Sequence, residues 1–235
     1  MSIEELGRDY IWQFKRLDEN PEIADEIVEE FRQVCVNGFG LESDEWAADN
    51  KLMLSQSTIL GRLLNQQGKV FGIAFYSAPD VFLDGTHFLW EDGICLVKEA
   101  QRKGYSWTAI DQALKMFPER TFGWVGCRTQ NPAMFLRYAK LGKIFPFDEL
   151  YDKVNGERII NFLLENIAEV KEVGALNNLS RGNGICTEVY PQGRLGDYPT
   201  EIDGAEPFEK QLKQWEFQRD RGEAVILVSC LRKNL

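Results

Sequence analysis

Ile94-Cys95-Leu96-Val97-Lys98-Glu99-Ala100-Gln101-Arg102-Lys103-Gly104-Tyr105-Ser106 is the stretch on which the fold turns. Residues 87–97 form an apolar-rich run with strand character. From Tyr105 onward the period changes: Trp107, Ile110, Leu114 and Phe117 recur at helical spacing, and Pro118 closes the helix. A strand therefore passes into a helix through a charged loop that holds one glycine. The free N–H groups and the dipole at a helix start form an anion site. Gly104 lets the backbone approach a ligand closely, Ser106 is small, and Arg102 and Lys103 add positive charge. Each component suits a pyrophosphate, although a strand, a charged loop and a helix occur together in many α/β proteins.

The chain on either side supplies the architecture. Residues 10–16 alternate as a first strand, and Asn20-Pro21 opens a helix carrying Ile23, Ile27, Val28, Phe31 and Val34 to a stop at Asn37-Gly38. A second helical stretch covers residues 44–53. Strands follow at 58–64, at 69–77 after the Gln67-Gly68 turn, and at 87–97 after Pro79 and Asp84-Gly85. After the 105–117 helix come a short strand at 121–127 and a helix opened by Asn131-Pro132 and ended by Gly142. The central order is strand, strand, strand, helix, strand, helix: a mixed α/β sheet, antiparallel first and parallel later, whose strand–helix–strand step favours a right-handed crossover. In the last third the expectations are one amphipathic helix over 159–173, a Gly- and Asn-rich loop over 177–199 around a strand at 185–190, a helix over 208–219 and a buried strand over 224–231.

Two segments carry a resemblance. Gln101-Arg102-Lys103-Gly104-Tyr105-Ser106 resembles the Gln/Arg-x-x-Gly-x-Gly/Ala motif of the GNAT N-acetyltransferase superfamily, with Ser106 in the usual Gly/Ala place and Lys98 where a Pro is frequent. Asn131-Pro132-Ala133-Met134-Phe135-Leu136-Arg137-Tyr138-Ala139-Lys140-Leu141-Gly142 resembles that family's Asn-helix-Tyr-x-x-x-Gly segment. Asn131 and Tyr138 are seven positions apart and so nearly on one helix face. Lys143 stands where the family commonly has a structural Phe, a place Phe145 can fill. By motif the resemblance covers residues 94–145, and by element order residues 10–147.

The resemblance implies a GNAT-like α/β (α+β) fold with a mixed, mostly antiparallel central sheet flanked by helices. Residues 1–150 would be an acyl-CoA-binding core. Residues 151–235 would be a C-terminal extension with helices and a final strand completing the sheet. It implies acetyl-CoA or another acyl-CoA as co-substrate, held by Leu96, Val97, Gln101, Arg102, Lys103, Gly104, Tyr105, Ser106 and Asn131. The implied reaction is direct attack of an amine on the thioester, which needs a base for the amine, a donor for the oxyanion and an acid for the thiolate. Tyr138 is the implied acid. Glu91 and Asp92 lie on the strand entering the loop; only one can face the site, and the family's habit favours Glu91 as base. The acceptor is a small-molecule or peptide amine of unread identity. Two other readings stay open: a non-catalytic acyl-CoA-binding module, and a protein-interaction module on the same fold. The extension can cover the acceptor site, build a homodimer or bind a partner.

Composition narrows the classes. At 235 residues with 44% apolar content the chain can bury a core without staples. A net charge of −10 and a pI near 4.8 argue against a broad nucleic-acid surface. The five cysteines are odd in number and lack CxxC spacing, which suggests a reducing compartment. With a single histidine, His87, no metal site is expected. Residues 1–9 have no apolar run, and no segment suits a membrane, so a cytoplasmic location is expected. Trp90, Trp107, Phe122 and Trp124 are expected in the core, and Cys95 and Cys127 as packing residues.

Overall fold

A computed structural model describes residues 9–17, 25–40, 56–148, 153–176, 178–190, 193–194, 196 and 198–231. The expected helix start at Asn20-Pro21 and the helix over 44–53 lie outside the described residues. The fold is mixed α/β, with a central, mostly antiparallel sheet flanked by helices. Its contacts divide it into two compact units, Met1–Ala78 with Glu91–Arg120, and Pro79–Trp90 with Thr121–Leu235. Among the described residues no helix is long and apolar enough to cross a membrane.

The first unit is a meander with a helix on each face. β1 (Tyr10–Arg16), β2 (Ile59–Asn65) and β3 (Val70–Ser77) pair antiparallel in sequence, and β5 (Thr86–Leu96) follows β3 in the sheet order. Because strand side chains alternate, Leu60, Ile73, Phe75 and Cys95 form one face. That face packs on Phe31, Val34 and Cys35 of α1 (Asp25–Phe39). The other face carries Trp12, whose indole N–H donates to the Tyr105 carbonyl of α2 (Tyr105–Lys115) at 2.9 Å. Helix α1 does not stop at Asn37-Gly38. It runs on to Phe39, and Gly40, at φ 70°, supplies the left-handed stop. Gly38 serves a different end: a Cβ there would lie 2.4 Å from the Leu96 carbonyl oxygen.

The second unit is built around its last strand. β9 (Ala224–Leu231) lies between β6 (Phe122–Thr129) and β7 (Gly142–Phe145), antiparallel to both. The short β4 (Phe82–Leu83) pairs with β5, and β8 (Ile185–Cys186) pairs with β9. α3 (Pro132–Leu141) connects β6 to β7. Ile226 and Val228 join Phe88, Trp90, Trp124 and Phe145 in a core closed by α4 (Lys153–Asn166) and α5 (Ala168–Ala175). Phe145 is buried while Lys143 is exposed, so Phe145 fills the core near the end of β7. Trp90 and Trp124 are core residues; Trp107 and Phe122 are half-buried.

Three expectations for the tail change. The helix over 159–173 is two helices, because Ile167 is extended at φ −110° and ψ 114°. The break keeps Leu163, Ile167 and Val170 all buried and lets Glu169 accept from the Trp90 indole at 2.7 Å and pair with Arg128. The strand over 185–190 shrinks to Ile185–Cys186, since Glu188 adopts φ 54°. The helix over 208–219 is α6 (Glu206–Gln214); Glu216 at φ 57° turns the chain and the Phe217 amide returns to the Leu212 carbonyl at 3.0 Å.

Gly142 has an extended backbone, φ 171°, that any residue can adopt. Its smallness is what matters, since a Cβ would fall 1.7 Å from the Cys230 carbonyl oxygen across the β7–β9 pair. Gly142→Ala is expected to lower stability by at least about 1–3 kcal/mol, the usual cost of overpacking, as measured by urea denaturation.

Candidate functional site

The loop after β5 is set by backbone geometry. A 3₁₀ turn, Lys98–Ala100, follows the strand; Arg102 then takes φ 61° and Gly104 φ 81°. Gly104 is the N-cap of α2 and contributes no side-chain cap. Arg102 and Lys103 are exposed, while Gln101, Gly104 and Ser106 are half-buried and Tyr105 is buried. The loop thus joins a helix N-terminus to exposed cations, the arrangement that suits a phosphate group.

Gln101 has a structural task within this loop. Its side-chain amide donates to the Leu96 carbonyl at 2.9 Å and to the Gly38 carbonyl at 3.0 Å, tying the end of β5 to the end of α1. Tyr10 and Glu99 were not anticipated here. The Tyr10 hydroxyl donates to Glu99 at 2.8 Å, and the Tyr10 ring packs on Phe71 and edge-on to Tyr105, with the Lys103 ammonium 5.5 Å above it. Glu99, which lies in the turn that leads into the loop, is therefore engaged by a phenol. Tyr10 and Trp12 lie two apart on β1, a same-face spacing that marks a covered strand, though not what covers it.

Glu91 and Asp92 lie on the same strand, ahead of the loop. Asp92 is half-buried, and one of its oxygens accepts from the hydroxyls of Ser57 and Ser77, both at 2.8 Å. Glu91 is 2% exposed. The first unit thus holds Glu91, Leu96, Val97 and Gln101 to Ser106.

Asn131 and Tyr138 belong to the second unit, on α3. The Asn131 side-chain oxygen accepts from the Ala133 amide at 2.9 Å and so caps the helix, and its own amide donates to the Thr129 hydroxyl at 3.0 Å. Tyr138 is 0% exposed, so it is not a surface tyrosine, and its carbonyl accepts from the Ser229 hydroxyl of β9 at 3.1 Å. His87 is half-buried, 3.3 Å from Asp80. Cys95 and Cys127 are buried and unbridged.

No protein-family profile and no curated protein matches the chain. Solved structures do. A GNAT-family N-acetyltransferase of Escherichia coli in complex with CoA is similar at 15% identity over 56% of this chain and 68% of that one, with TM-score 0.39. A ribosomal-protein alanine N-acetyltransferase of Escherichia coli is similar at 14% identity over 96% and 99%, with TM-score 0.45. An IAA acetyltransferase of Bacillus cereus is similar at 12% identity over 94% and 100%, with TM-score 0.46. Likenesses of this size assign no activity to the chain.

The hydrogen bond to Glu99 pushes the Tyr10 pKa up to about 12, because ionising the phenol would set two anions together. The contribution to stability is present below the ordinary tyrosine value of about 10 and is lost as pH rises through the folded value. Glu99→Gln is expected to return the Tyr10 pKa toward about 10, followed by NMR of ring-labelled tyrosine.

Proposed function

We propose that the chain is an N-acyltransferase that moves an acetyl or other short acyl group from coenzyme A to an amine. The observation that carries this is the Gln101 to Ser106 loop: Arg102 and Gly104 in left-handed conformations, exposed cations, and a helix start whose N-cap is a glycine. The acyl-CoA supplies an activated thioester carbonyl. The loop amides with Arg102, Lys103 and Ser106 hold its pyrophosphate, with Gln101 and Tyr105 as the loop's braces. Leu96 and Val97 offer strand backbone to the acyl arm, and Asn131 holds the arm from the start of α3. Glu91 takes the proton from the attacking amine, and Tyr138 returns one to the departing sulfur, so the nitrogen–carbon bond forms as the carbon–sulfur bond breaks. Residues 1–150 form the cofactor core in this reading and residues 151–235 its extension. The acceptor is a small-molecule or peptide amine in the cytoplasm.

The burial of Glu91 and Tyr138 favours a second reading, an acyl-CoA-binding module without turnover. Thermal stabilisation by coenzyme A without thioester consumption across an amine panel would select it.

Coenzyme A is expected to bind the full chain, as followed by isothermal titration. Gly104→Val places a branched side chain at φ 81°, where an L-residue is disfavoured by about 1–2 kcal/mol, and should weaken binding at least tenfold. The absence of binding to the wild type would overturn the proposal. For an active enzyme, Tyr138→Phe should lower kcat by about 10²- to 10⁴-fold with the coenzyme A Kd unchanged. Glu91→Gln should remove the acidic limb of the pH–rate profile; a retained limb would reject Glu91 as base.

A further inference from the structure

Gln130 is the residue between β6 and Asn131, and it is 2% exposed. Its side-chain nitrogen donates to the Glu223 carbonyl at 2.7 Å and lies 3.3 Å from the Arg219 carbonyl and 3.5 Å from that of Gly193. Its side-chain oxygen accepts from the Tyr198 hydroxyl at 3.0 Å. Its backbone carbonyl accepts from Arg219 Nε at 3.1 Å, and the same guanidinium makes a two-point pair with Glu209 of α6 at 2.6 and 3.0 Å. One buried glutamine thus collects groups from four places in the C-terminal part of the second unit.

Buried polar groups must be satisfied, and an apolar residue at 130 would leave the Glu223 carbonyl and the Tyr198 hydroxyl without this partner. The chain thus brings Gly193, Tyr198, Arg219 and Glu223 to the residue immediately before Asn131. The close packing of this region depends on backbone contacts that exclude side chains: a Cβ on Gly193 would lie 2.6 Å from the Asp220 carbonyl oxygen, and one on Gly222 would lie 2.1 Å from that of Tyr190. Asn131 is pinned from the other side by Thr129 and Ala133.

We propose that Gln130, with Tyr198 and Arg219, is a positioning residue through which the C-terminal extension sets Asn131 and the first turn of α3 for coenzyme A. This rests on the reading given under the proposed function. The extension is then part of the cofactor site's construction, acting through Gln130 rather than by touching the ligand.

The test uses the full chain and coenzyme A itself. Gln130→Leu should raise the Kd for coenzyme A at least tenfold, and the milder Tyr198→Phe two- to fivefold. Both should speed hydrogen exchange at the Ala133 and Met134 amides. Leu163→Val, a core variant on α4 with its Tm loss compared alongside, should leave affinity and exchange within twofold of wild type. If Gln130→Leu leaves both readouts unchanged while Asn131→Ala weakens coenzyme A, the positioning role is overturned and the site stands. If Gln130→Leu does not fold, unchanged exchange and affinity in Tyr198→Phe overturn it equally. Wild-type protein that binds no coenzyme A overturns the proposed function, and this inference falls with it.

Discussion

A single side-chain amide, that of Gln101, holds two backbone carbonyls at the point where β5 stops and the loop begins. One belongs to Leu96, the last residue of β5, and the other to Gly38 near the end of α1. The contact is possible only because position 38 has no side chain. From the joined strand end and helix end the chain turns through Arg102 and Gly104, both left-handed, into α2. The glutamine at the head of the motif thus anchors the start of the loop to its surroundings.

Most elements were legible in the sequence, and the exceptions have two causes. The strands 10–16 and 224–231 match β1 and β9, because strong alternation in one and a continuous apolar run in the other leave little choice of boundary. The tail misled where the chain turns on residues that carry no turn signature. Glu188 and Glu216 sit at positive φ without being glycine or asparagine, and Ile167 breaks a helix although it is neither proline nor glycine. Tertiary contacts impose these conformations: the pairing of Glu169 with Trp90 and Arg128 re-aims α5 against the propensity of its own sequence. Gly38 misled in another way: it resembles a helix stop, yet α1 runs past it and the Leu96 carbonyl oxygen leaves it no room for a side chain. Gly142 ends α3 as expected, and the Cys230 carbonyl oxygen also leaves it no room for a side chain. In the candidate site the turn at Gly104 and the cations beside it were visible in the sequence. The engagement of Glu99 by Tyr10 was not, since it joins residues far apart in sequence.

The two units put different physics behind their candidate residues. In the first, the loop is held by hydrogen bonds to backbone and by exposed charge, which leaves its polar groups near water. In the second, Asn131 and Tyr138 sit on a helix that packs toward a buried strand, with Tyr138 fixed through its carbonyl by Ser229 and Phe135 stacked on Phe208 at 5.1 Å. Groups on such a helix are precise because their surroundings are dense.

β9 lies between β6 and β7 although it follows every other strand in sequence. Val125 of β6 and Ile144 of β7 both find their partner in Ser229. Until β9 arrives, the two strands it separates have no ladder between them, and their backbone groups and apolar faces stay open. Such long-range pairing is slow to form, and half-made sheets with free edges are prone to stray association. During synthesis, then, the second unit spends its early life as an unfilled slot. That state lasts until residues 224–231 pair with their neighbours.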